Sequence, residues 1–195
     1  MLGVYGRVLC HRSAMGYLLA NATAYSGMFA YFAGSPFVFI EVYGVAAEDY
    51  GYLFACNVIA LMSVSFLNAR LVTRLGAHRL FAIAVRIIAI VGIVLLVNAI
   101  TGFGGLPGLV IPLLVYVGSL SMIGANAMAL ALDRFPQAAG SVSALSGGLM
   151  FAVGALSAGA VGLFHDGSAL AMAAVITATG LGALTAQICL TRDDS

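Results

Sequence analysis

Six long apolar runs, separated by short polar segments, set the pattern of this chain. They cover residues 15–40, 50–69, 80–100, 106–132, 138–164 and 168–190. Each has roughly the 20 residues that an α-helix needs to cross about 30 Å of hydrocarbon. A bilayer offers backbone groups no water, so the runs are predicted to be helices rather than strands. The pattern therefore predicts an all-α membrane protein with a six-helix transmembrane bundle over residues 15–190.

The arginines lie at alternate ends of these runs and predict their orientation. Seven of the eight fall in segments 1–14, 70–79, 133–137 and 191–195, and none falls in 41–49, 101–105 or 165–167. By the positive-inside rule both termini are predicted to be cytoplasmic. Residues 1–14 are then a cytoplasmic juxtamembrane segment, and residues 191–195 are a cytoplasmic tail.

The densest charge cluster lies between the second and third runs and is predicted to anchor both to the headgroups. It contains Arg70, Arg74 and Arg79, with Gly76 in the same turn. A guanidinium at mid-bilayer costs roughly 2.5 to 3.5 kcal/mol on insertion scales, so neither run can slide past this turn.

The remaining arginine, Arg86, lies about two turns inside the third run. Its long stem allows the guanidinium to reach back to the inner headgroups, since about 10 Å of helix separates it from Arg79. The alternative is that Arg86 faces the protein interior and pairs with a carboxylate or a substrate anion.

Composition supports the membrane assignment and excludes several other classes. Hydrophobic residues make up 63% of the chain and charged residues 8%, whereas an average soluble domain has about 25% charged residues. With a net charge of +1 and scattered arginines, no nucleic-acid surface is predicted. The three cysteines, Cys10, Cys56 and Cys189, are far apart, so we expect small apolar fillers, with no disulfide, metal site or bound cofactor.

Polar and aromatic side chains on three runs form the candidate site. The first run carries four of them at i, i+4, i+7 and i+11: Asn21, Tyr25, Met28 and Phe32. The fourth run offers Tyr116, Ser119 and Asn126, and the second run offers Asn57. An amide in lipid needs partners or water, so these side chains face protein or a cavity. They are either interhelical hydrogen-bond contacts or the lining of a pathway for an amphipathic ligand.

Small residues repeat along the last two runs and predict close helix packing within a compact bundle. The fifth run has one seam of Gly140, Ala144, Gly148 and Ala152 and a second seam of Gly154, Ala158 and Gly162, both at four-residue spacing. The sixth run repeats the pattern at Ala174, Ala178, Gly182 and Ala186.

The chain lacks the motifs of catalysis. It has no GxSxG, no HExxH and no Walker A loop, so an enzyme is not predicted. No Asp or Glu lies within a predicted span, so this chain alone supplies no evident intramembrane proton carrier.

Several stretches together resemble the second half of major facilitator superfamily drug/proton antiporters of the bicyclomycin-resistance type. They include Gly34-Ser35-Pro36-Phe37-Val38-Phe39-Ile40-Glu41, Tyr50-Gly51-Tyr52-Leu53-Phe54, Asn126-Ala127-Met128-Ala129-Leu130-Ala131-Leu132 and Ala139-Gly140-Ser141-Val142-Ser143-Ala144-Leu145. The turn with Arg70, Arg74, Gly76 and Arg79 is similar to the inner loop motif of that superfamily, although Thr73 occupies the position of its Asp. In the family this turn is a cytoplasmic latch.

The resemblance implies one half of a twelve-helix transporter whose ligand binds between two six-helix halves. The first, second, fourth and fifth helices would line half of the cavity, and the third and sixth would face lipid or flank the bundle. The expected function is half of a proton-driven multidrug efflux transporter for small amphipathic compounds in a bacterial inner membrane. Its partners would be the lipid bilayer, a drug, and a second six-helix half or further copies of the chain. A non-transporting membrane fragment or assembly subunit is the alternative.

Overall fold

A computed structural model describes residues 2–191, with side chains from residue 6 onward, and this part of the chain is helical with no strand. Its seven α-helices are α1 (Leu2–Cys10), α2 (Arg12–Pro36), α3 (Ala47–Leu75), α4 (Ala77–Thr101), α5 (Gly105–Arg134), α6 (Ala139–Leu163) and α7 (Leu170–Leu190). A π-helical segment, Phe37–Val42, continues α2, and a short 3-10 turn, Pro136–Ala138, precedes α6. The predicted tail at 191–195 lies, apart from Thr191, outside the described residues.

The long helices form two layers. α2 packs along α6, α7 and α5, while α4 packs along α5 and α7, and α3 packs along α5. The front layer therefore contains α6, α2, α5 and α3, and the back layer contains α7 and α4. We call the exposed side of α2, α3 and α6, away from α4 and α7, the front surface.

Five helices, α3 to α7, are long and apolar enough to cross a membrane. α2 has 25 residues but is less apolar, since it carries Asn, Ser, Thr, Tyr and Gly residues. Most of these are buried against other helices rather than exposed to lipid, as a polar span requires. The six predicted runs thus form one six-helix membrane bundle.

Glycines allow the closest helix contacts, where a side chain would collide with a neighbour. A Cβ on Gly180 of α7 would lie 3.0 Å from the carbonyl oxygen of Ile88 on α4. A Cβ on Gly92 of α4 would lie 3.1 Å from Cα of Thr177, whose hydroxyl donates to the Gly92 carbonyl over 2.7 Å. The back layer is therefore joined by close backbone contact and a buried hydrogen bond.

The predicted turn at 70–79 is wrong in length. α3 continues to Leu75 and α4 begins at Ala77, so one residue, Gly76, connects them. Gly76 has φ of +79°, which a residue without a Cβ adopts readily. Arginine is a good helix former, so Arg70 and Arg74 extend α3 rather than end it.

The small-residue seams pack within the bundle only in part: Gly182 of α7 faces Thr23 of α2, Ala186 packs against the core, and Gly154 of α6 packs against Phe29, but most of the other seam residues are exposed. Gly140, Ala144, Gly148 and Ala152 of α6 are all exposed. On α7, Ala174 and Ala178 are exposed, and the contacts with α4 are made by Thr177 and Gly180 instead. Spacing alone predicted a close contact, but not whether the partner belongs to the same bundle.

The interpretation of the cysteines as core fillers is also wrong. Cys10, Cys56 and Cys189 are all exposed. Each lies on the outer side of its helix, so none contributes to the packed interior.

Candidate functional site

An aromatic band crosses the front surface from α3 over α2 to α6. The ring centroids of Phe54 on α3 and Phe32 on α2 lie 5.7 Å apart. Phe29 on α2 lies 6.5 Å from Phe32 and 5.7 Å from Phe151 on α6. Phe32, Phe54 and Phe151 are 41%, 39% and 64% exposed, so the band offers ring faces and edges to whatever covers this surface.

Gly154 of α6 positions one end of the band. A Cβ at this residue would lie 2.6 Å from Cδ2 of Phe29, so only glycine leaves room for the ring. The absence of a side chain lets the Phe29 ring pack against α6 and brings α2 and α6 together.

The predicted stripe of α2 lies on the front side of the helix and becomes more exposed toward Phe32. Asn21 is 5% exposed, and its Nδ2 donates to Ser146 Oγ of α6 over 3.5 Å. Tyr25 and Met28 are half-buried, with the Tyr25 ring against Gly124 of α5. The structure thus brings together all four stripe residues on one face.

A buried polar network joins α2 to α3 at one end of the aromatic band. Asn57 Nδ2 donates to the Tyr31 hydroxyl over 3.0 Å and to the Leu53 carbonyl over 3.0 Å. Ser35 Oγ of α2 lies 2.8 Å from the Tyr50 hydroxyl of α3, within hydrogen-bond distance. Two side-chain hydrogen bonds, Asn57–Tyr31 and Ser35–Tyr50, therefore join the two helices.

Two amide oxygens of the candidate site accept no hydrogen bond from the described part of the chain. They are Oδ1 of Asn21 and Oδ1 of Asn57, and both are buried. An unpaired buried acceptor costs about 1 to 3 kcal/mol, so each oxygen favours a donor brought by another molecule or chain.

Tyr116 lies between the two layers rather than on the front surface. Its hydroxyl donates to the Ala24 carbonyl of α2 over 3.0 Å and lies 3.2 Å from Thr179 Oγ1 of α7. The side chain is 1% exposed, and Gly27 leaves space for the phenol. Tyr116 therefore ties α5 to α2 and α7.

The other two candidates on α5 also lie in helix contacts. Asn126 Nδ2 donates to Asn68 Oδ1 of α3 over 2.7 Å and to the Met122 carbonyl over 2.7 Å. Ser119 donates to the Val115 carbonyl of its own helix over 2.7 Å. Whether Tyr116, Ser119 and Asn126 line a ligand pathway stays a prediction.

The arginines of the basic segment are exposed at one end of the bundle, which we call the basic end. Arg70 and Arg74 lie on the last turns of α3, and Arg79 lies on the first turns of α4. The Arg70 guanidinium lies 4.3 Å from the centroid of the Phe66 ring, within cation–π range. Arg86 is exposed on α4, so it faces outward and not into the protein interior.

The described residues contain no cluster of three or more His, Cys, Asp or Glu side chains that could hold a metal ion. The described carboxylates, Glu41, Glu48, Asp49, Asp133 and Asp166, are all exposed.

Four residues of this region were not among the sequence candidates: Phe29, Phe54, Phe151 and Asn68. Exposed phenylalanine is ordinary in a lipid-facing helix, so the sequence did not mark the three rings. Asn68 lies near the end of the second predicted run, two residues before Arg70. Helical spacing offered one signal, since Asn57 and Asn68 are eleven residues apart and lie on one face of α3.

Comparison with known proteins identifies relatives that are longer than this chain. A bicyclomycin resistance protein homolog of Haemophilus influenzae is 37% identical over 145 residues, covering 74% of this chain and 36% of the relative. An uncharacterized MFS-type transporter of Bacillus subtilis, YdgK, is 32% identical over 188 residues, covering 96% of this chain and 46% of the relative. The chain thus spans less than half the length of these curated relatives. No protein-family profile and no solved structure matches it.

Proposed function

Because this chain is a half-length relative of major facilitator superfamily transporters of the bicyclomycin-resistance type, we propose that it forms one wall of a drug-efflux cavity. The second wall would come from another six-helix bundle, whether on a longer chain, a separate chain or a second copy. Transport in this superfamily type requires two bundles that rock about a shared site, so the bundle alone would carry nothing across the membrane.

The aromatic band is the observation that carries this proposal. Phe29, Phe32, Phe54 and Phe151 form an apolar aromatic strip across three helices on the front surface. Aromatic faces bind flat, apolar compounds with little demand for exact shape, and they attract cations. The strip therefore fits small amphipathic drugs, while the free oxygens of Asn21 and Asn57 would accept hydrogen bonds from their polar groups.

The exposed residues of α3 and α6, on either side of α2, favour a second bundle as the other wall of the cavity. α3 has only two buried residues, Asn57 and Asn68, and on the side of Phe54 it also exposes Val58 and Ser65. On α6 the small residues from Gly140 to Ala152 are exposed. Small residues let helix backbones approach closely, so α6 offers a surface suited to another helix.

Energy for transport would come from the proton gradient, with the titrating carboxylates on the other bundle. In the described residues every carboxylate is exposed, and none lies inside the bundle. An intramembrane proton carrier requires a buried or cavity-facing titratable group. We place the basic end at the cytoplasmic side of a bacterial inner membrane, with both termini cytoplasmic, because arginines concentrate there.

The test is drug tolerance in an efflux-deficient bacterium that expresses this chain with or without the first half of a full-length relative. We expect tolerance only with both halves, and we expect it to disappear when an uncoupler collapses the proton gradient. The double variant Phe32→Ala/Phe54→Ala should lose tolerance at equal expression. Phe103→Ala is the matched control, because Phe103 is 76% exposed in the connection between α4 and α5.

A non-transporting assembly subunit is the second candidate, favoured by the same exposed seam on α6. In that case the two halves would co-purify from the membrane without conferring tolerance. Such a result, with both halves inserted, would reject the transporter proposal and leave the assembly role.

A further inference from the structure

A crevice opens between α3 and α4 on the side away from the front surface. α3 packs closely on α5 at Gly118, where a Cβ would lie 3.0 Å from Cγ2 of Val64, but it makes few contacts with α4. The gap encloses about 360 Å³. Its lining is almost wholly apolar and includes Ala60, Ser63 and Leu67 of α3, Ile87 of α4, and Val115, Met122 and the predicted pathway residue Ser119 of α5.

A basic hollow adjoins the crevice at the basic end of the bundle. Leu67 lines both spaces, and the hollow of about 560 Å³ is also lined by Arg70, Leu71, Thr73 and Arg74. Steps of three and four residues alternate along one side of α3, so the residues at these steps form a single stripe. The stripe consists of Ala60, Ser63, Leu67, Arg70 and Arg74. An apolar slot thus leads directly to two guanidinium groups.

The orientation of this stripe turns it toward lipid rather than toward a second bundle. At 3.6 residues per turn, Ser63 lies about half a turn around α3 from Phe54 of the aromatic band. A bundle covering the front surface would leave the stripe exposed to acyl chains.

The length of the stripe matches one leaflet. Ala60 and Arg70 are ten residues apart, which is about 15 Å along a helix. Half of the hydrocarbon core is also about 15 Å thick. An acyl chain lying from Ala60 toward Leu67 would therefore place its phosphodiester beside Arg70 and Arg74.

The guanidinium of Arg86 lies outside the crevice. Arg86 is exposed and directly precedes Ile87 of the crevice wall, but it does not line the crevice itself. Arg86 lies nine residues after Ala77, which is about 14 Å along α4 from its first residue. Leu67 lies eight residues before Leu75, which is about 12 Å along α3 from its last residue, so the two residues lie at similar depths from the basic end. Asp133 lies on the last turn of α5 and is exposed, and it lines neither the crevice nor the basic hollow.

We propose that the α3–α4 crevice binds one anionic phospholipid, with an acyl chain in the apolar slot and its phosphate between Arg70 and Arg74. Two guanidinium groups beside a slot whose lining includes no carboxylate complement a negative headgroup over a zwitterionic one. This site is separate from the proposed drug surface and does not depend on transport.

Tryptophan fluorescence tests the acyl chain directly, because the natural chain has no tryptophan. Ile87→Trp places a reporter in the crevice wall, and Ile90→Trp, at a position 61% exposed on the same helix, is the matched control. In detergent micelles, phosphatidylglycerol with brominated chains should quench Ile87→Trp at low mole fraction and reach saturation. Ile90→Trp should show only gradual quenching, and brominated phosphatidylcholine should quench both variants gradually.

Charge removal tests the headgroup. Each basic group near an anionic surface contributes about 1 kcal/mol, so Arg70→Gln/Arg74→Gln in the Ile87→Trp background should weaken phosphatidylglycerol binding roughly 30-fold. Arg79→Gln, which removes an exposed charge at the same end outside the stripe, should change binding less than threefold. If Arg79→Gln weakened phosphatidylglycerol binding as much as the double variant, the attraction would be a general surface effect, and the proposed headgroup site would be wrong.

Filling the slot is an independent check. Ser63→Phe should abolish saturable binding, whereas Ser65→Phe, on the opposite side of α3, should retain it. Saturable binding that survives Ser63→Phe, or displacement of the lipid by inorganic phosphate alone, would overturn the proposal that an acyl chain occupies the crevice. If Ser63→Phe does not fold, the arginine variants and the two lipids decide the question.

Discussion

The amide pair of Asn68 and Asn126 should contribute a measurable part of the attachment of α3 to the bundle. Asn68 is one of only two buried residues on α3, and its Oδ1 accepts from Asn126 Nδ2 over 2.7 Å. Interhelical hydrogen bonds in membranes average about 0.6 kcal/mol and reach about 1.7 kcal/mol. The short distance and full burial place this pair toward the upper end.

The two single substitutions should differ in cost. In Asn68→Leu, Asn126 Nδ2 keeps its bond to the Met122 carbonyl, so the loss is about 1 to 1.7 kcal/mol. In Asn126→Leu, the buried Oδ1 of Asn68 loses its donor on α5. This substitution should therefore lower the free energy of unfolding by up to about 3 kcal/mol. The double variant should cost less than the sum of the two, with a coupling energy of about 0.6 to 1.7 kcal/mol.

Reversible unfolding in mixed micelles, followed by helicity as sodium dodecyl sulfate is added, gives the four free energies of unfolding. Ser65→Leu serves as the control because Ser65 is exposed on the same helix, and it should change stability by less than about 0.5 kcal/mol. A coupling energy below about 0.3 kcal/mol, or an equal loss in Ser65→Leu, would refute the role of this pair.

Two further predictions concern packing and pH. Gly27→Ala would bring a Cβ against the Tyr116 hydroxyl and should lower the free energy of unfolding by about 1 to 3 kcal/mol, whereas Gly159→Ala, with no atom within 4 Å, should leave it unchanged or raised. Hydrogen bonds from the side chain and the backbone of Ser168 lower the pKa of Asp166 below its ordinary value of 3.8. The stabilisation from this carboxylate is therefore present above that value and is lost as pH falls through the lowered pKa. Protection of the amides at the start of α7 from hydrogen exchange, taken relative to their intrinsic exchange rate at each pH, should fall in acid in the unsubstituted chain more than in Asp166→Ala; equal losses of protection would contradict the role of this carboxylate.

Hydropathy and charge were sufficient to predict the class of this fold. Apolar runs of helix length and arginine-poor connections led to six helices, and the structure has them with boundaries shifted by a few residues. The connection between α3 and α4 was predicted too long, because charge was taken as the end of a helix. The true signal was Gly76, whose positive φ ends α3 in a single residue.

The candidate site was predictable only along one helix. Helical spacing placed Asn21, Tyr25, Met28 and Phe32 on one stripe, and the structure keeps them together on the front side of α2. Which residues on other helices face that stripe depends on how each helix is rotated, and periodicity does not fix rotation. Tyr116 therefore lies against α2 and α7, while Phe54 and Phe151 complete the aromatic band.

The central claim is that the front surface is a wall shared with a second six-helix bundle. The most direct measurement is photocrosslinking in the membrane from a benzoylphenylalanine that replaces Gly148 on α6, with the same group replacing Ala174 on α7 as the control. Both positions are exposed small residues, but only Gly148 lies in the front layer. We predict a crosslink to the supplied second bundle from position 148 and none from position 174. A crosslink from position 174 with none from position 148 would contradict the account.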